Sequence, residues 1–121
     1  METSPIAPLR SPRVSIPGTF SHPSTNVEQT VVTVTASQFG GSGLALVEVD
    51  CTALTKNSNI CRILGAFSGV TFTPMPGRAQ TASMSQIFTF EFRTTVDFRV
   101  GLTSGTAEGA TRSIPYKISI Y

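Results

Sequence analysis

The groups able to do chemistry in this chain are few and far apart. Its only histidine is His22, and its thiols are Cys51 and Cys61. A hydrolytic nucleophile needs a base within hydrogen-bond reach and a third group to orient that base. His22 stands far upstream of both thiols in a stretch rich in proline and serine, which we read as solvated. The same isolation argues against zinc, which takes about four nitrogen or sulfur ligands at close spacing. We expect no catalytic residue, no metal, no cofactor and no enzymatic activity.

Two carboxylate pairs, Glu48 with Asp50 and Glu91 with Asp97, lie at the even spacing that shares a strand face. Paired carboxylates can do acid–base work. Alternating Glu91, Arg93, Asp97 and Arg99 read better as cross-strand charge pairs on a solvated face. The run Gly40-Gly41-Ser42-Gly43 has neither a following Lys-Ser/Thr nor dinucleotide-fingerprint spacing, so it is a turn and not a phosphate loop. Five arginines are candidate RNA contacts, Arg10 and Arg13 near the start and Arg62, Arg78 and Arg112 in expected loops. With no basic block and no interleaved aromatics, contact through them is weak per subunit and gains strength only by multiplicity.

Composition sets the frame for these groups. Of 121 residues 40% are hydrophobic and 13% charged, with net charge +2, so the chain has apolar surface for one core and too little charge to predict nucleic-acid affinity by itself. No run approaches the roughly 18 apolar residues of a membrane span, and no signal peptide opens the sequence. We therefore expect a soluble protein kept inside the cell, with no membrane partner. Two cysteines in that setting are expected as reduced thiols packed like small hydrophobes, not as a bridge.

Residues 1–26 carry Pro5, Pro8, Pro12, Pro17 and Pro23 among Ser and Thr, the composition of a flexible, disordered arm. From residue 27 to 121 β-branched and aromatic runs alternate with Gly, Ser, Asn and Pro clusters, which is the pattern of strands and turns. Residues 29–36 place Val32 and Val34 on one face, and residues 44–51 place Ala45, Val47, Val49 and Cys51 on one face. Over 55–65, Ile60, Ile63 and Leu64 follow helical spacing between Thr55 or Ser58 as N-cap and Gly65 as stop, predicting one short helix. A strand over 67–74 follows, ended by Pro74 and Pro76.

The strongest signal runs over 87–102. Phe88, Phe90, Phe92, Val96, Phe98, Val100 and Leu102 share even parity. A two-residue hairpin at Thr94-Thr95 would mix the faces and lacks the Gly or Asn such turns prefer, so two strands joined by an odd-numbered loop are expected. Residues 113–121 form a last strand with Ile114, Tyr116, Ile118 and Ile120 inward. Without long helices between strands a parallel sheet has no support, and the chain is read as all-β, an antiparallel β-sandwich or jelly-roll-like barrel with one short helix.

The segment Leu54-Thr-Lys-Asn-Ser-Asn-Ile-Cys-Arg62-Ile-Leu-Gly-Ala-Phe67-Ser-Gly-Val70-Thr-Phe72-Thr-Pro74 resembles a stretch of the jelly-roll coat proteins of small icosahedral positive-strand RNA viruses, tymoviruses in particular. There a short helix ends in an aromatic-arginine turn and leads to a strand finishing in proline; Cys61 stands here in the aromatic's place. The arm without an arginine-rich block is similar too. The resemblance implies a capsid subunit that self-assembles in many copies into a shell around RNA, its arm crossing to a neighbour or lying inside, located in the virion or host cytoplasm. The alternative is a non-enzymatic binding or accessory domain, protruding, adhesin-like or carbohydrate-binding. The lack of tryptophan and the presence of only Tyr116 and Tyr121 weigh against a sugar platform.

Overall fold

The computed structural model describes residues 11–56, 58–82 and 86–121. Among them run eight strands, β1 (Val14–His22), β2 (Gln29–Val34), β3 (Gly43–Asp50), β4 (Asn59–Gly65), β5 (Thr73–Ala82), β6 (Ile87–Thr94), β7 (Phe98–Thr103) and β8 (Arg112–Ile120), with one 3-10 turn at Ala36–Phe39. β6 shows why: its residues alternate exposed and buried without a break, Phe88, Phe90 and Phe92 going in.

The strands form two four-stranded antiparallel sheets, ordered β1-β8-β3-β6 and β2-β7-β4-β5. Each strand of the first half pairs with its mirror image in the second, β1 with β8, β2 with β7, β3 with β6 and β4 with β5. The chain is one long hairpin rolled up, the double-sheet jelly roll. Both inner faces fill one core that includes Val47, Ile63, Phe88, Phe98, Ile114 and Ile118.

The rejected hairpin at Thr94-Thr95 is absent. Thr95, Val96 and Asp97 instead carry the chain from one sheet to the other. This odd-numbered crossing keeps the parity, so Phe92 and Phe98 meet in the core edge to face, with ring centroids 5.1 Å apart.

Four expectations change. The helix over 55–65 is replaced by β4, because Cys61 and Ile63 point into the core while Ile60 and Leu64 lie on the opposite face. Pairing with β7 on one side and β5 on the other overrides the local helical spacing. Within the stretch read as an arm, residues 14–22 are β1, paired with β8 along their whole length. Pro17 is tolerated there because β1 is an edge strand, and Gly18 lies beneath the Tyr116 ring, where a Cβ would clash. The rest of the arm up to residue 10 lies outside the described residues. The strand placed at 67–74 begins only at Thr73, since Pro74 and Pro76 open an edge strand instead of closing one. In β2 a bulge between Thr30 and Val32 turns Val31, with Val34, into the core in place of Val32.

Because β1 is part of the roll, deleting residues 1–22 should abolish cooperative unfolding: β8 loses its outer neighbour, and Ile114 and Ile118 lose cover. Circular dichroism melts of the truncated and full chains make the check.

Candidate functional site

The roll has two ends, and the sequence-predicted arginines divide between them. At one end meet the starts of β1 and β3, the turn at Ala36–Phe39, the 66–72 loop, the 95–97 crossing and Tyr121. Arg13 ties this end together. Its Nη1 donates to the Phe39 carbonyl at 3.1 Å and its Nη2 to the carbonyls of Ser42 at 2.7 Å and Tyr121 at 3.3 Å. The Asp97 carboxylate accepts the Ala36 N–H at 2.6 Å, fixing the 3-10 turn to the crossing.

At the other end Glu108, 5% exposed, does the equivalent work. Its carboxylate accepts the Thr55 N–H and hydroxyl, the Lys56 N–H at 3.0 Å and Arg112 Nε at 3.2 Å. Burial pushes this carboxyl's pKa up, and the bonds from Thr55, Lys56 and Arg112 outweigh burial, holding it below the ordinary 4.5. His22 is fully buried here, not solvated, its Nδ1–H donating to the Pro23 carbonyl at 2.7 Å. Its Nε2 is buried without a partner.

Arg62 pairs with Glu28 through two bonds, Nε to Oε2 at 2.7 Å and Nη2 to Oε1 at 3.0 Å, over Gly101, whose missing side chain leaves room for the carboxylate. Of the five candidate RNA contacts, Arg62 and Arg112 are therefore internal ion-pair partners, and Arg10 lies outside the described residues. The expected charge pairs among Glu91, Arg93, Asp97 and Arg99 do not form. The described ion pairs are Arg62–Glu28 and Arg112–Glu108. The physical reason is the crossing: β6 and β7 belong to different sheets, so same-parity residues share a core and not a surface. Arg99 instead covers the Phe72 ring at 3.8 Å.

Arg13 and Arg78 do come together. They line a cleft of about 520 Å³ at the first end with Arg93, Phe67, Met75 and Tyr121. Arg78 makes only a long 3.4 Å bond to the Gly77 carbonyl, and its Nε is buried without an acceptor. Arg93, which the sequence reading put among surface charge pairs, is the residue it missed. Its place at the last turn outward before the 95–97 crossing is the signal that could have found it. Glu48 and Asp50 line a separate shallow depression of about 230 Å³ with Ile87, Pro115 and Lys117.

Cys51 and Cys61 are free and buried. Burial, reinforced by Asp50, pushes the Cys51 thiol up to about 12, and burial pushes Cys61 up as well. Such thiols are poor nucleophiles at neutral pH.

No protein-family model and no curated protein matches the sequence. Solved structures do align along the chain. A structure of Bacillus endospore appendages, described as a family of disulfide-linked pili, aligns over 99% of this chain and 97% of its own at 14% identity and a TM-score of 0.50. The Yersinia pseudotuberculosis-derived mitogen aligns over 91% of this chain and 87% of its own at 13% identity and a TM-score of 0.49. A capsid structure of Helicobacter pylori bacteriophage KHP30 aligns over 91% and 90% at 9% identity and a TM-score of 0.49. At these identities the likeness is one of fold.

Two outcomes check this description. Glu108→Gln should lower stability at pH 7 by about 1–3 kcal/mol, because buried donors lose a charged acceptor. The wild-type contribution is complete above the ordinary 4.5 and is lost as pH falls through the lowered folded-state value, so the variant should show a flatter acid limb in urea melts between neutral and acid pH. Both thiols should resist a chromogenic disulfide reagent in the native protein at neutral pH and react fully once it is denatured.

Proposed function

We propose that this chain is a structural assembly subunit, a non-enzymatic jelly roll whose copies pack into a larger body, and more specifically a coat-type subunit forming a shell around RNA in the virion or host cytoplasm. The observation that carries this reading is an apolar exposure the fold itself leaves uncovered. Phe67 and Val70, on the loop between β4 and β5, are 58% and 84% exposed, whereas Phe39, Phe88, Phe90, Phe92 and Phe98 are buried. Clustered apolar side chains standing in water at a loop mark a contact surface.

The surface around them supports the reading. β1 carries no Asp, Glu, Lys or Arg, and its outward residues Ser15, Pro17, Thr19 and Ser21 join Ser113 and Pro115 of β8 in a face on which Lys117, opposite Pro17, is the one charge of the two strands. Depletion of charge is the compositional mark of interface cores. The endospore appendages whose structure shares the fold are described as disulfide-linked pili, which accords with an assembly role. A second reading, a non-enzymatic binding or accessory domain, is favoured by the open cleft at the Arg13 end.

Size-exclusion chromatography with light scattering, reading absorbance at 260 and 280 nm, tests the proposal. Species far above the 12.8 kDa chain should form and grow with concentration, and Phe67→Ser with Val70→Ser should shift them toward monomer without altering the melt. The chain has no tryptophan, so copurified nucleic acid would dominate the absorbance. A monomer at every concentration would refute the assembly reading.

A further inference from the structure

We infer that the cleft at the Arg13 end is a binding site for a nucleoside phosphate unit of single-stranded nucleic acid, the phosphate held by Arg78 and Arg93 and the base laid against Phe67 and Met75. The site is complete within one copy, and because its Phe67 also belongs to the contact surface of the assembly reading, the two are told apart by Arg78 and Arg93, which that contact does not invoke.

Charge comes first. Arg13, Arg78 and Arg93 line the cleft, and no acidic side chain appears among its described lining residues. Arg13 is held by the backbone oxygens of Phe39, Ser42 and Tyr121, which fix its position in the cleft wall. Arg78 keeps a buried Nε without an acceptor, and Arg93 is exposed with no partner among the described residues. An unsatisfied buried guanidinium N–H is costly, and a phosphate oxygen is the acceptor that removes the cost while matching the planar fork.

The second element is an apolar platform. The Phe67 ring and the Met75 methyl both come within about 3 Å of where a Gly65 Cβ would stand, so the absence of a side chain at Gly65 lets them settle side by side at the cleft wall. Phe67 remains 58% exposed, which leaves a ring face for a base. Base-on-aromatic stacking is worth about 1–3 kcal/mol and tolerates any base. A volume of about 520 Å³ suits a unit of this kind better than a bare anion.

A second copy of this chain is the rival occupant. The carboxylates of Glu28, Asp97 and Glu108 are engaged internally, and Glu48 and Asp50 line a depression. Glu91 stands exposed on β6, so the self-association readout separates the two occupants.

Fluorescence anisotropy of a labelled short oligouridylate with the full chain at low salt tests the site. Binding is expected, with a salt slope that falls by about 0.7 for each arginine removed. Arg78→Ala with Arg93→Ala should weaken binding at least about tenfold, Phe67→Ala about fivefold or more, and Lys117→Ala, on the outer face of β8 and outside the cleft, not at all. With the unaltered protein, uridine monophosphate should displace the probe at concentrations where inorganic phosphate does not. Equal displacement by phosphate would reduce the cleft to an anion site and overturn the inference. So would equal losses from Lys117→Ala and the arginine pair. Self-association that depends on Arg78 and Arg93 while the oligonucleotide fails to bind would assign the cleft to a neighbouring copy instead.

Discussion

The structure depends on one constraint of parity. Two sheets must turn inward the same register class of a chain that passes repeatedly between them, and the tightest passage is Thr95-Val96-Asp97. Because a strand alternates its faces with period two, an even-numbered crossing here would have turned Phe98, Val100 and Leu102 to water. The odd crossing lets β6 and β7 contribute to one core from opposite sides, and Phe92 against Phe98 is the contact where the sheets meet. Asp97 then serves twice, as part of the crossing and as acceptor for the 3-10 turn at Ala36.

A rolled hairpin leaves loops at both ends with backbone groups that no ladder satisfies, and each end uses one charged side chain to gather them. Arg13 collects three carbonyls, and Glu108 collects two N–H groups, a hydroxyl and a guanidinium. Opposite charges do opposite halves of the job because carbonyls need a donor and N–H groups an acceptor. This explains why Arg112, a candidate nucleic-acid contact in the sequence, is not available in the fold, as Arg62 is taken by Glu28. Arg13, Arg78 and Arg93 are the cations that the roll gathers at one cleft.

Legibility in the sequence followed the reach of each signal. β3, β6, β7 and β8 were readable because their alternation is unbroken and local. β1 was hidden because Pro17, Gly18 and many Ser residues look like a linker. Its strand character comes only from β8, which lies at the far end of the chain. β4 was misread because Arg62 and a bulge opposite Leu64 disturb its alternation, leaving Ile60, Ile63 and Leu64 to mimic a helical stripe. The cleft could not be read at all, since Arg13, Arg78 and Arg93 are brought together only by the roll, and no spacing in the sequence records that closeness.

How copies could meet follows from the edges. A jelly roll has four edge strands, and an unguarded one would recruit another chain by strand addition. Here each is obstructed. β1 carries Pro17, β5 carries Pro74 and Pro76, and β2 has its bulge at Thr30. On β6 the Thr89 carbonyl already accepts Gln80 Nε2 from β5 at 2.6 Å, so a side chain laces the two sheets together along that side. Backbone-to-backbone growth is thereby disfavoured on every flank. Any contacts between copies would then use side chains on faces and loops, where the 66–72 loop and the sparsely charged β1–β8 face lie. Such contacts are set by shape and can be confined to one geometry, whereas open edges would add strands without limit.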